Sequence, residues 1–110
     1  MEAKSPFWPD LQAYCLSFVG ATEEYPWNDV VYKVKGKSFA FTSGDRPEII
    51  VSAKTGPENR PIFLQQPGVS VAQYVGRFGW LTIRITDEST YQLARDMIAE
   101  SYRLITAKKR

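Results

Sequence analysis

Residues 30–42 read Val30-Val31-Tyr32-Lys33-Val34-Lys35-Gly36-Lys37-Ser38-Phe39-Ala40-Phe41-Thr42. Two runs rich in β-branched and aromatic residues, Val30 to Val34 and Ser38 to Thr42, flank Lys35-Gly36-Lys37. Such residues suit a pleated, half-buried surface. A glycine in so short a connection supplies the positive φ that a tight hairpin turn needs. The stretch therefore predicts an antiparallel β-hairpin. Ser43-Gly44-Asp45 with Pro47 predicts the next turn, and Glu48-Ile49-Ile50-Val51-Ser52 a third strand after it. Three consecutive strands on short turns make an antiparallel meander, and that decides the fold class.

Upstream, Leu11, Tyr14, Cys15 and Phe18 fall at i, i+3, i+4 and i+7, one apolar stripe of a helix over 10–19. Pro6 and Pro9 bracket its start, Asp10 suits the positive end of its dipole, and Gly20 supplies a stop. Ala21 to Asp29, with Glu23-Glu24 and Tyr25-Pro26-Trp27, reads as a turn-rich connection. Downstream, Gly56-Pro57 opens a segment in which Pro61 allows only a short or kinked helix. Val69 to Val75 fits either a short strand or an extended loop. Trp80 to Thr86 is the clearest strand, with Leu81, Ile83 and Ile85 on one face and Trp80, Thr82, Arg84 and Thr86 on the other. A long helix runs from about Ser89 or Thr90 to Lys108, with Ser89 and Gln92 at capping-box spacing. Ala94, Met97, Ile98, Ser101 and Ile105 form its inward stripe, flanked by Leu93, Tyr102 and Leu104. The expectation is a single α+β domain over 1–110 in two layers. An antiparallel sheet carries the N-terminal and C-terminal helices on one face, in the order α-β(3)-α-β(1–2)-α.

Composition narrows the chemistry. The chain has 110 residues, 44% of them hydrophobic, and 14 Lys plus Arg against 12 Asp plus Glu, a net charge of +2. It contains no His and one Cys, which excludes His-based triads, His metal sites, zinc fingers and an intramolecular disulfide. No P-loop, GxGxxG or GxSxG string occurs. No apolar run approaches the roughly 20 residues of a membrane span, and the first residues lack the apolar core of a secretory signal. A cytoplasmic binder without catalytic residues, metal or cofactor is expected.

Several strings then carry a resemblance. Val31-Tyr32-Lys33-Val34-Lys35-Gly36-Lys37-Ser38-Phe39-Ala40, Val51-Ser52-Ala53-Lys54, Gln66-Pro67-Gly68-Val69, Trp80 with its alternating apolar residues, and Ser101-Tyr102-Arg103-Leu104-Ile105-Thr106-Ala107-Lys108 stand in one order. In that order they resemble the MmcQ/YjbR family of small bacterial proteins over nearly the whole chain. The resemblance implies a CyaY-like or secretion-chaperone-like two-layer architecture and DNA binding as the function, with no catalytic residues to carry over. The chain departs from the family pattern at Gly76-Arg77-Phe78-Gly79 and at Pro61.

Two candidate surfaces follow. Lys33, Lys35 and Lys37 crowd one hairpin, where they can lie along a phosphate backbone or simply keep a solvated hairpin from pairing edge to edge. Lys54, Arg77, Arg84 and the Lys108-Lys109-Arg110 tail would widen a basic patch if they share its face. The other surface, suited to dimerisation or to another protein, is aromatic: Tyr25, Trp27 and Trp80. Trp80 is expected to be buried beneath Tyr25-Pro26-Trp27. Cys15, on the apolar stripe, is expected to be a buried inert thiol. Gly76-Arg77-Phe78-Gly79 has GxxG spacing, but the order of elements is not that of an RNA-binding KH or RRM domain.

Overall fold

The connection at Lys35-Gly36 is a two-residue turn in the computed structural model, which describes residues 5–26, 29–73 and 75–107. Lys35 and Gly36 both carry positive φ, 52° and 77°. A type I′ turn demands that pair because its twist then matches the twist of the strands it joins. It connects β2 (Val30–Val34) to β3 (Lys37–Thr42), with Val34 opposite Lys37. The register shifts between Tyr32 and Lys33, which face Ala40 and Ser38. Phe39 is therefore the extra residue of a bulge, and both Phe39 and Ala40 reach the core.

The meander continues into β4 (Ile49–Lys54). Outside it lie β1 (Ala21–Glu24), β5 (Val69–Val71) and β6 (Trp80–Ile85). Among the described residues these six strands form one antiparallel sheet in the order β1-β2-β3-β4-β6-β5. The stretch expected to be a turn-rich connection thus begins with a strand. β1 pairs with β2 from Ala21 opposite Val34 to Glu24 opposite Val31. Its half-exposed and exposed residues alternate, but two Glu on an edge strand give no apolar signal to read. The ambiguity over 69–75 resolves into three residues of strand on the other edge.

Helix α1 (Trp8–Leu16) and helix α3 (Glu88–Thr106) cover one face of the sheet. Leu11 and Cys15 of α1, Ala94, Met97 and Ile98 of α3, and Tyr32, Ile49, Val51, Leu81 and Ile83 of the sheet are shut off from solvent in one cluster. Each large apolar side chain so buried contributes about 1.5–3 kcal/mol. α3 starts earlier than expected because its cap is Asp87, not Ser89. The Asp87 carboxylate accepts from the Thr90 amide at 2.8 Å, and the Thr90 hydroxyl accepts from the Asp87 amide at 3.0 Å. A short helix α2 (Arg60–Leu64) carries Pro61 in its first turn, where the missing N–H costs nothing. No helix among the described residues is long and apolar enough to cross a membrane.

Candidate nucleic-acid interface

Strand direction decides where the charges go. β2 ends and β3 begins at the Lys35-Gly36 turn; β4 ends beside it, since Ala40 faces Ala53, and β6 begins there, since Lys54 faces Trp80. Lys33, Lys35, Lys37 and Lys54 therefore stand at one end of the sheet, called here the hairpin end. A single turn of 3-10 helix, Gly76–Phe78, brings Arg77 to the same end immediately before β6. The last turn of α3 returns there as well, with Arg103. The opposite end gathers Asp29, Asp45, Glu48, Asp87 and Glu88, at the starts of β2 and β4 and beyond the end of β6. Glu58 and Glu100 also stand at the hairpin end and Arg46 and Arg84 at the opposite one. A chain with a net charge of only +2 thus has an excess of cations at the first end and of carboxylates at the second.

The hairpin cations are not equivalent. Lys33 Nζ lies 3.1 Å from the Glu24 carboxylate, so its charge is already answered within the chain. Lys35 and Lys37 are exposed, and among the described residues no carboxylate stands within ion-pair distance of them, of Lys54 or of Arg77. The Arg77 guanidinium lies over the exposed Phe78 ring, 4.8 Å from its centroid. Arg84 is on the same face of the sheet as Lys54 but at the opposite end, 3.3 Å from Glu48. The structure separates it from the hairpin lysines. Lys108, Lys109 and Arg110 lie outside the described residues, as does Trp27.

A polar clip holds the hairpin end together, and sequence reading missed it. Thr55 N–H and Oγ1–H both donate to the Gly79 carbonyl at 2.8 Å. Arg60 closes over them, its Nη2 donating to the Thr55 carbonyl at 2.6 Å. The Gly79 φ is 91°, and a Cβ there would stand 2.8 Å from the Thr55 oxygen. Glu100, only 8% exposed on α3, accepts the Gly56 amide at 2.7 Å and the Asn59 side-chain amide. Its neighbour on the helix, Arg103, is 3.6 Å away. A Glu one position before the inward Ser101 is the only trace of this bond in the sequence. Gly76 is equally constrained, a Cβ there falling 2.3 Å from Val71 Cγ1. The GxxG spacing therefore has a packing cause.

The aromatic candidates divide. Trp80 is buried, as expected, but its ring packs on Phe41 at 5.1 Å. Among the described residues the uncovered aromatic on the open face is Phe41, 37% exposed, which nothing in its sequence context singles out. Tyr25 is exposed, and its hydroxyl donates to Glu23. The buried Tyr32 hydroxyl donates to the same carboxylate at 2.7 Å, and the Gln12 amide does so at 2.9 Å. Partial burial works to raise the Glu23 carboxyl, but the three donors outweigh it and hold the group below the usual carboxylate range. Cys15 is buried, and burial, helped by the Glu23 charge, pushes its thiol up to about 12.

The YjbR family matches residues 16–104, from the end of α1 almost to the end of α3. This chain belongs to the YjbR family. Among solved structures, protein DR2400 of Deinococcus radiodurans, which carries a DUF419 domain, superposes on this YjbR protein with a TM-score of 0.76. The two are 24% identical over 91% of this chain and 78% of that one. A protein from Pseudomonas syringae superposes with a TM-score of 0.66 at 16% identity, over 87% of this chain and 96% of that one. At these identities the likeness is one of fold. No curated protein matches the chain.

Proposed function

We propose that this YjbR protein binds DNA through the hairpin end of its sheet, by weak, sequence-tolerant contact with phosphates. The observation that carries this reading is the gathering of Lys35, Lys37, Lys54 and Arg77 at one end, while the carboxylates of 29, 45, 48, 87 and 88 lie at the other. Lys35 and Lys37 flank Gly36 at a two-residue turn at the edge of the sheet, and both are exposed. Phosphate contact needs only such point charges, whereas reading bases needs a helix or ribbon seated in a groove. The reading therefore includes positioning on the backbone and no sequence preference.

Its magnitude follows from counterion release. If about three phosphates are neutralised, the slope of log K against log salt is about −2.7. Affinity then falls roughly fortyfold between about 50 and 200 mM salt. A fluorescence-anisotropy titration of a labelled duplex at both concentrations measures this directly. Lys35→Glu with Lys37→Glu is expected to abolish binding at the lower salt. Binding that ignores salt, or survives that double reversal, rejects the reading.

A further inference from the structure

We infer that two copies of this chain pair through the open faces of their sheets, antiparallel, with the hairpin end of one over the acidic end of the other. Both helices that cover the sheet lie on its other face, and the open face is apolar at its centre. Phe41, Ile50, Val71 and Val75 line a shallow groove of about 630 Å³ together with hydroxyls from Ser52, Ser70 and Thr82. A nucleic acid is a poor occupant of this groove, since Asp29 lines it and Glu48 and Asp87 stand at the same end as charges a phosphate backbone would meet. A second copy answers Asp29, which has no ion-pair partner among the described residues, whereas Glu48 already shares its charge with Arg84.

Strand β4 carries the argument. Ile50, Ser52 and Lys54 alternate onto the open face while Ile49, Val51 and Ala53 enter the core. Glu48, one residue before the strand, belongs to the open set and pairs there with Arg84. One near-central strand thus presents a Glu48–Arg84 ion pair at its start and, at its end, a cation with no carboxylate partner among the described residues. A two-fold axis lying between two such faces, across the strands, lays Lys54 of each copy over Glu48 of the other. An axis along the strands would instead set lysine on lysine. Charge complementarity therefore selects the antiparallel arrangement, and strands of the two sheets remain aligned as in a sandwich.

Size sets the strength. Six strands about 4.8 Å apart and about five residues long on average give a face of roughly 475 Å², hence about 950 Å² across both copies. That lies just below the range of stable interfaces, so the dimer is weak and concentration-dependent. Lys54 is the one residue this surface shares with the proposed DNA contact. Lys35 and Lys37 flank Gly36 at the edge of the sheet and stay outside it.

Sedimentation equilibrium from about 1 μM to 1 mM is expected to show the mass rising from 12.5 kDa toward twice that value. Ser70→Arg, at an exposed position in the groove, should weaken association at least about tenfold without disturbing the core. Glu48→Lys alone and Lys54→Glu alone should each weaken it about as much, and the two together should restore it to within about threefold. That recovery cannot come from a variant that fails to fold. A chain monomeric throughout the range, a dimer indifferent to Ser70→Arg, or a double reversal no better than the single ones overturns the inference. Lys35→Glu with Lys37→Glu should leave association unchanged while removing DNA binding, which separates the two proposals.

Discussion

Cys15 is closed off from solvent on the inward side of α1, where its thiol feels the Glu23 charge. Cys15 sits on an apolar helical stripe, and its burial was legible from that spacing; the structure adds its neighbours and their effect. With its thiol held at about 12 against an ordinary 9.0, it should not react with a thiol reagent at neutral pH until urea unfolds the chain. The linkage has a definite sign. The unfolded thiol ionises first, so the contribution of Cys15 to stability is complete below about pH 9 and is lost as pH rises toward about 12. Urea midpoints measured at about pH 8 and above about pH 10 should fall, and fall less in Cys15→Ala. Gly79 was not legible in this way. Its left-handed backbone, and the 2.8 Å at which a Cβ there would meet the Thr55 carbonyl, arise from a contact between segments 24 residues apart. Gly79→Ala is expected to cost at least about 1–2 kcal/mol from the backbone conformation alone, read as a lower urea midpoint. Glu100 was hidden for the same reason, because its partners Gly56 and Asn59 come from a loop that the helical period of α3 does not mention.

At the scale of elements, apolar pattern and turn chemistry were the readable signals. The hairpin of β2 and β3, the alternation in β6 and the inward stripe of α3 all carried them, and all stand where the sequence placed them. β1 carried neither signal, since an edge strand needs only one side of its backbone paired and can be built from Ala-Thr-Glu-Glu. The cap of α3 was misread by two residues because Asp87 and Ser89 are both good capping types and Thr90 replaces the more usual Glu or Gln partner. The observed geometry makes this testable. Asp87→Ala should lower the thermal midpoint, whereas Ser89→Ala, outside the cap, should leave it nearly unchanged. The Asp87 carboxyl is also held below its ordinary value by the Thr90 amide and hydroxyl and the Ser89 amide, against a smaller opposing effect of desolvation. The cap is therefore complete at neutral pH and is lost as pH falls through that lowered value. Equal effects from the two alanine variants would contradict the assignment.

For the whole molecule, the informative quantity is the placement of charge rather than its sum. A balance of 14 cations to 12 anions gives no hint of polarity, because strand direction decides which residues share an end, and that is fixed only once the register is known. The hairpin lysines could be read as a group from their spacing. That Lys54 and Arg77 join them, and that Arg84 does not, depends on β4 and β6 running antiparallel with Lys54 opposite Trp80. The same geometry leaves Lys33 paired with Glu24 and moves the weight of the proposed contact to Lys35 and Lys37. The most direct measurement is an amide chemical-shift map of the labelled protein during titration with a short DNA duplex at low salt. Shifts confined to the hairpin end, around residues 33–37, 53–55 and 76–79, are the expected result. Shifts concentrated around residues 43–48 and 86–90, or none at all, would contradict it.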